Sequence, residues 1–113
     1  MLKLNMHEKR RHTRHIIKLP AEIIAGGVSI KGTTVRISRR GCFVRSQRSF
    51  QEGTPIELAV ALADNINFRL KGTVKYARNI NYGPLSRQNG MGIEFLQVDP
   101  DYSRFVESVD LQD

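Results

Sequence analysis

Two arginine-rich runs contain the residues of this chain that are best suited to chemistry. In the first, RRHTR at residues 10–14, Arg10 and Arg14 stand four residues apart in a segment with little hydrophobic periodicity. Helix packing therefore gives no reason for the spacing. The second, RISRRG at residues 36–41, places a hydroxyl and a glycine in a basic turn after two predicted strands. We interpret the two runs as the two halves of one anion-binding site.

The chemistry of the guanidinium group indicates what kind of anion the site would take. Each guanidinium offers a rigid fork of donors and a face that stacks on a base, which suits a flat anion rich in acceptors. A guanine nucleotide fits that description. The alternative for residues 36–41 is a basic hairpin turn in which Ser38 caps the chain locally and no ligand is needed.

The positive charge of the chain is concentrated in its first half. The formal net charge is +7, but residues 1–48 hold twelve Lys and Arg against two acidic residues, a net of +10. Residues 49–113 hold six against nine, a net of −3. Since the surplus lies in the segment that carries both arginine runs, the distribution favours a local anionic partner over a general solubilising charge.

Length and apolar patterning point to one domain with no membrane span. The 113 residues, 40% of them hydrophobic, suit a single modest core. No apolar stretch approaches the roughly 18 to 20 residues that a span needs. Residues 1–5 are too short for the core of a signal peptide, so we expect a cytoplasmic location if the protein is bacterial.

The residue types that usually carry metal or catalytic chemistry are few. Cys42 is the single cysteine, which excludes an internal disulfide, and its apolar neighbours predict core packing rather than reactivity. The three histidines, His7, His12 and His15, have no carboxylate or cysteine cluster beside them, so we predict no metal site. Because no Ser/His/acid set or carboxylate pair can be assembled, we expect no catalytic residues and no enzyme activity.

Short β-like runs separated by turn residues follow Ile16, as is typical of a small all-β sandwich or barrel. The predicted strands cover Lys18–Ala25, Val28–Ile37 with an interruption allowed at Gly32, Cys42–Arg45 and Pro55–Leu62. In the long strand that follows, apolar and polar residues alternate, and one face consists of Phe68, Leu70, Gly72, Val74 and Tyr76. Met91, Ile93 and Phe95 alternate in a last strand.

The two ends of the chain are predicted to differ in structure. Residues 1–15 form a flexible basic arm, because they are polar and offer no face to bury. Asp99 is the predicted N-cap of a short C-terminal helix with Pro100 in its first turn. Its apolar residues at helical spacing, which we expect to face the sheet, are Tyr102, Phe105, Val106 and Val109. Residues 79–89 are predicted to be an exposed loop.

These residues resemble the PilZ domain, a bacterial family that binds the second messenger cyclic di-GMP. The family motif RxxxR matches residues 10–14, and its second motif, [DN]xSxxG, matches at Ser38 and Gly41. Residues 41–44, 72–74 and 90–95 add to the likeness, which covers about residues 8–110. The resemblance implies a six-stranded antiparallel β-barrel with a C-terminal helix, formed here by residues 16–113.

The resemblance also implies where a ligand would bind. Arg10 and Arg14 would clamp the phosphates and guanine edges from the arm, while Ser38 would hydrogen-bond the ligand and Gly41 would let the backbone approach it. The full set of expected cyclic di-GMP ligands is Arg10, Arg11, Arg14, Arg36, Ser38, Arg40 and Gly41. Tyr76 or Arg78 could add a stacking surface, but the alternation favours a buried core position for Tyr76.

Arg36 departs from the family motif, which has Asp or Asn at that position. A carboxylate or amide oxygen accepts from guanine N1 and N2, whereas guanidinium has no acceptor. Arg36 would instead meet a phosphate or the guanine O6 and N7 edge. The sequence therefore leaves two functions open: a cyclic di-GMP receptor that changes its surface and signals to a partner protein, or a degenerate module that acts only in protein–protein interaction.

A third function, direct binding of nucleic acid, is weighed because the chain is strongly basic. Clustered arginines are the expected electrostatic footprint of a nucleic-acid-binding protein. Few aromatic residues accompany the basic runs, and we therefore expect no specific nucleic-acid partner.

Overall fold

The computed structural model describes residues 15–63, 66–79 and 88–112. Within these ranges the chain forms seven β-strands and one α-helix. The strands are β1 (His15–Ile16), β2 (Pro20–Ala25), β3 (Val28–Ser38), β4 (Gly41–Arg45), β5 (Pro55–Ala63), β6 (Ile66–Arg78) and β7 (Gly90–Phe95), and the helix is α1 (Pro100–Gln112). No helix in the described ranges is long and apolar enough to cross a membrane.

Six of the strands close into an antiparallel barrel. Their order around the barrel is β3, β2, β5, β6, β7 and β4, and β4 pairs again with β3. The two residues of β1 pair with β3 opposite Ile37 and Arg36. This barrel with a C-terminal helix confirms the predicted fold. β3 runs through Gly32 without the interruption that the sequence allowed.

The barrel interior is filled by the apolar side chains that alternate along each strand. In β5, for example, Ile56, Leu58 and Val60 are buried while Glu57 and Ala59 are more exposed. Successive side chains of a strand point to opposite faces, so an apolar residue at every second position indicates a strand with one face buried. Predictions from that period are therefore confirmed for β5 as far as Val60, before a register shift between Ala61 and Ala63, and for the first part of β6.

The helix begins where the sequence predicted and closes one end of the barrel. The Tyr102 amide donates to Asp99 Oδ2 at 2.8 Å, so Asp99 is the N-cap. The Tyr102 ring meets Phe95 and Phe68 edge-on, with centroid distances of 5.3 and 5.5 Å. Val106 is also buried, whereas the side chain of Val109 lies outside the described part of the helix.

Two predicted segments fall mostly outside the described residues. The basic arm over residues 1–15 is described only at His15, and the loop over residues 79–89 only at Asn79, Gln88 and Asn89. Asn89 is buried, so the expected exposure is wrong at that residue. The rest of both segments stays a prediction, as does the division into an arm and a barrel domain.

We expect Asp99→Ala to lower the free energy of unfolding by about 1 kcal/mol, because the Tyr102 amide loses its capping acceptor. Urea denaturation followed by circular dichroism measures the change. Asp99→Asn is the matched control, since an amide oxygen caps as well as a carboxylate. Equal stability of the two variants would show that this cap does not stabilise the helix.

Candidate functional site

An extra residue in β3 turns Arg36 and Ser38 toward the outside of the barrel. Along the β3–β4 pairing, β3 advances two residues, from Thr34 to Arg36, while β4 advances one. Val35 is therefore the extra residue of a β-bulge. Thr34 and Ile37 on either side of it are both buried, and Arg36 is exposed. Strict alternation would instead have placed the guanidinium in the apolar core without a partner, which is costly.

A second bulge, in β6, turns Tyr76 toward the outside of the barrel. Along the β6–β7 pairing, β6 advances two residues, from Val74 to Tyr76, while β7 advances one, so Lys75 is the extra residue. Val74 is buried, but the Tyr76 side chain is 41% exposed. Ala77 returns to the inside and packs against the core, and Arg78 lies on the outside.

The two bulges build one outer face, which we call the Phe43 face. One row of cross-strand neighbours, read from β3 to β6, consists of Arg36, Phe43, Gly92 and Tyr76. The row on one side of it consists of Arg45, Gly90 and Arg78. The row on the other side consists of Ser38, Gly41, Glu94 and Thr73. Cations, aromatic rings and glycines thus share one surface.

Two aromatic rings and a guanidinium are stacked at the centre of this face. The Phe43 and Tyr76 rings lie 6.0 Å apart between centroids, with 23° between their planes. The Arg78 guanidinium carbon is 5.6 Å from the centroid of the Phe43 ring. Such cation–π contacts favour a charge held over the ring. Phe43 is only 8% exposed, so the surface that a ligand would meet is formed by Tyr76 and Arg78.

Gly92 is required by the position of the Tyr76 ring. The ring crosses over Gly92, and a Cβ at that position would overlap three of its carbon atoms. Because Gly92 has no side chain, the Tyr76 ring can lie across β7 toward Phe43 on β4. This arrangement makes the centre of the face smooth enough for a planar group to stack on it.

The turn between β3 and β4 lies at the edge of the face. The Ser38 hydroxyl donates to the carbonyl of Gly41 at 3.3 Å, a local closure of the turn that the sequence also allowed. Packing also requires glycine at position 41, because a Cβ there would overlap the carbonyl oxygen of Ile93. The Arg40 carbonyl accepts from the Phe95 amide at 2.8 Å, and its side chain is exposed.

The chain enters the barrel directly beside this turn. β1 pairs His15 with Ile37, which precedes Ser38 in β3. The three arm residues of the expected ligand set, Arg10, Arg11 and Arg14, lie outside the described residues. The structure thus brings together Arg36, Ser38 and Gly41, with Arg40 in the turn. The described chain begins at His15, which pairs with Ile37 beside this edge.

The interpretation of Tyr76 as a core residue is wrong. It rested on unbroken alternation from Phe68, and the bulge at Lys75 reverses the phase before Tyr76 is reached. A signal for the reversal was present, because unbroken alternation would also have placed the charged Arg78 inside and the small apolar Ala77 outside. Phe43 and Gly92 were not among the site residues expected from the sequence.

Cys42 contributes packing rather than chemistry to the site. It packs against the core, as predicted, and burial raises the pKa of its thiol from 9.0 to about 12. The thiolate, which is the nucleophilic form, is therefore suppressed at neutral pH. Burial also raises the pKa of the Tyr102 phenol, and the charge of a nearby Cys42 thiolate raises it further. No group of three His, Cys, Asp or Glu side chains in the described ranges could hold a metal ion.

Comparison with known proteins identifies the family. The model of the PilZ domain matches residues 8–109, and the chain therefore belongs to the PilZ domain family. The match confirms the resemblance inferred from the two arginine-rich runs and agrees with the expectation that the chain is not an enzyme. No curated protein sequence matches the chain.

Solved structures with the same fold have low sequence identity. The PilZ domain of YcgR from Escherichia coli, solved with c-di-GMP (cyclic di-GMP), has a TM-score of 0.65 and 15% identity, over 89% of this chain and 88% of that one. The Bacillus subtilis inhibitor of motility, MotI/DgrA, has a TM-score of 0.71 and 19% identity over 92% of this chain. Borreliella burgdorferi PlzA in complex with c-di-GMP has a TM-score of 0.63 and 20% identity over 94% of this chain.

The chain is shorter than two of these proteins. The aligned region covers 50% of the inhibitor of motility and 43% of PlzA. The shared fold is therefore one part of each of those two chains.

We expect the Cys42 thiol to react slowly with a thiol reagent in the folded protein at mildly alkaline pH, and rapidly in urea. The raised pKa also predicts that stability falls as the pH rises from 9.0 toward about 12, because the unfolded chain ionises there before the folded one does. Absorbance of the released reagent measures the labelling. Cys42→Ala should show a shallower fall in stability, and equally fast labelling of folded and unfolded protein would contradict the burial.

Proposed function

We propose that this chain is a receptor for c-di-GMP that binds the nucleotide on the Phe43 face. In the proposal, Arg10, Arg11 and Arg14 close on the ligand from the edge where β1 enters the barrel, and the altered surface signals to a partner protein. The observation that carries the proposal is the juxtaposition, on one face, of the Phe43–Tyr76 stack with Arg36, Arg78 and the turn at residues 38–41.

The charge of the face supports an anionic ligand. Arg36 and Arg45 are exposed, Arg78 is half-buried over Phe43, and Arg40 is exposed in the adjoining turn. A cyclic dinucleotide carries two phosphate charges within a compact ring, so several guanidinium groups can contact it at once. Hydrogen bonds between a guanidinium and a phosphate are charge-assisted and are about twice as strong as neutral ones.

The aromatic surface supports a ligand with planar bases. Tyr76 exposes 41% of its surface, and its ring already stacks on Phe43 from the barrel side. A guanine on the solvent side would extend the stack. Stacking of one base on an aromatic side chain contributes on the order of 1 to 3 kcal/mol, and guanidinium groups near the rings can also hydrogen-bond guanine O6 and N7.

The replacement of the motif's Asp or Asn by Arg36 is compatible with this ligand. Arg36 is exposed in the row of Phe43 and offers donors only. An acceptor for guanine N1 and N2 is available at Glu94, whose carboxylate is in the neighbouring row and pairs with Lys75 at 3.6 Å. Since that pair is exposed, a competing hydrogen bond would replace it at little cost.

Solved PilZ structures point to the same ligand. The E. coli YcgR domain and B. burgdorferi PlzA were both solved with c-di-GMP. The family likeness and the composition of the Phe43 face therefore agree. The cytoplasmic location expected from the sequence is part of this proposal.

Calorimetric titration with c-di-GMP at moderate salt tests the proposal. We expect micromolar affinity, about −8 kcal/mol, with no binding of GTP. Arg14→Ala should weaken binding at least tenfold because a charge-assisted contact is lost, while leaving thermal unfolding unchanged. Lys18→Ala, which removes an exposed charge outside the RxxxR motif, is the matched control. If the wild-type protein gives no saturable heat, the receptor function is wrong, and Arg36 marks a degenerate module that acts only in protein–protein interaction.

Tyr76→Ala should weaken c-di-GMP binding about tenfold, because the ring that faces the ligand is removed. Tyr76→Phe should bind nearly as well as the wild type, since it keeps the stacking surface and loses only the hydroxyl. The same calorimetric titration measures both variants. Equal affinity of Tyr76→Ala and the wild type would exclude this ring from the binding surface.

A further inference from the structure

A buried hydroxyl in β3 holds the segment through which the chain enters the barrel. Thr34 points into the interior and is fully buried. Its Oγ1 donates to the carbonyl of Ile17 at 2.6 Å and accepts from the Leu19 amide at 2.9 Å. A single side chain thereby satisfies two backbone groups of residues 17–19, which connect β1 to β2 and lie in no strand themselves.

The backbone around the β3 bulge completes this attachment. The Thr34 amide donates to the Leu19 carbonyl at 2.9 Å, and the Ile17 amide donates to the carbonyl of Val35, the bulge residue, at 3.1 Å. Four hydrogen bonds thus fasten residues 17–19 to two neighbouring residues of β3. The bulge that turns Arg36 outward is therefore the same place at which the incoming chain is held.

This attachment lies directly after β1 and supports the pairing of β1 with β3. β1 pairs His15 with Ile37 and Ile16 with Arg36. Within the described part of the chain β1 consists of His15 and Ile16, and the bonds to Thr34 hold the chain immediately after them. Fixing a segment before a ligand arrives reduces the ordering cost of binding.

We propose that Thr34 is a positioning residue for nucleotide binding. Its hydroxyl fixes residues 17–19, and with them the pairing of His15 and Ile16 beside Ile37 and Arg36, although Thr34 itself is buried and would touch no ligand. The inference rests on the function proposed above and names the interior residue that couples the entry segment to the Phe43 face. Without this hydroxyl the barrel remains closed, but residues 15–19 have to be ordered against β3 when the ligand binds.

Thr34→Val removes the hydroxyl while keeping a branched side chain of similar size. Two backbone groups of residues 17–19 lose their partner, so the segment should detach more often from β3. We expect amide hydrogen exchange of Ile17 and Leu19 to become at least tenfold faster, while the amides that pair β5 with β6 keep their protection. Thr34→Ser, which restores the hydroxyl, should return exchange to nearly the wild-type rate.

The same variants are then titrated with c-di-GMP by calorimetry. Thr34→Val should bind about tenfold more weakly than the wild type, since ordering of residues 15–19 against β3 is added to the cost of binding. Thr34→Ser should bind like the wild type. In an Arg14→Ala background, Thr34→Val should weaken binding far less than tenfold, because residues that act through one another are non-additive.

Ile23→Val is the control for a general loss of stability. It removes one methylene from a fully buried side chain of β2 and lies away from both the entry segment and the Phe43 face. It should lower the thermal midpoint and leave affinity unchanged. An equal loss of affinity in Ile23→Val and Thr34→Val, or full additivity with Arg14→Ala, would overturn the positioning role.

The exchange and titration experiments separate this inference from the function on which it rests. A wild-type chain that does not bind c-di-GMP overturns the proposed function and with it the effect on affinity. Unchanged exchange at Ile17 and Leu19 in Thr34→Val overturns the attachment itself, whether or not the nucleotide binds.

Discussion

In a closed barrel, every strand has one face in the core and one in solvent, and the alternation of side chains is fixed by the backbone. β3 and β6 each carry apolar residues in one phase at their start and in the opposite phase near their end. One extra residue in each strand, Val35 and Lys75, reconciles the two phases. These bulges keep Ile37 and Ala77 on the inside and, as a consequence, turn cations and an aromatic ring outward.

The other features of the Phe43 face depend on the outward positions of Tyr76 and Arg78. Tyr76 can lie over the neighbouring strand only because Gly92 has no side chain beneath it. Phe43 faces outward in register with both and fills the space under the Arg78 guanidinium. The helix leaves this surface open because its apolar side packs against Phe68 and Phe95 at the end of the barrel. Its exposed side reaches the β3–β4 turn through the Arg39–Glu107 ion pair, at 3.6 Å.

Much of the fold could be predicted because it depends on local rules. The two-residue period located β5 and most of β6, and the Asp99-Pro100 pair located the start of the helix. The barrel and the family followed from the spacing of short motifs, since no periodicity specifies closure. Tyr76 was assigned to the wrong face because a bulge is set by pairing with the next strand, which the sequence of one strand does not contain.

The site could be predicted only in part, for a related reason. Arg36, Ser38 and Gly41 were identified from one continuous motif, whereas Phe43, Gly92 and Tyr76 meet across three strands that are distant in sequence. Thr34 was overlooked because a threonine inside a β-branched strand looks like an ordinary strand residue. Its bonds to residues 17–19 exist only in the folded chain.

The most direct test of the central claim, that the Phe43 face is the binding surface, is amide chemical-shift mapping by nuclear magnetic resonance during titration with c-di-GMP. We expect the largest shifts at Arg36, Phe43, Tyr76 and Gly92. We expect small shifts at Glu22, Lys31 and Ala59, which line an open groove of about 440 Å³ formed by β2, β5 and the first parts of β3 and β6. Saturable shifts centred on that groove, with the Phe43 face unchanged, would contradict the claim.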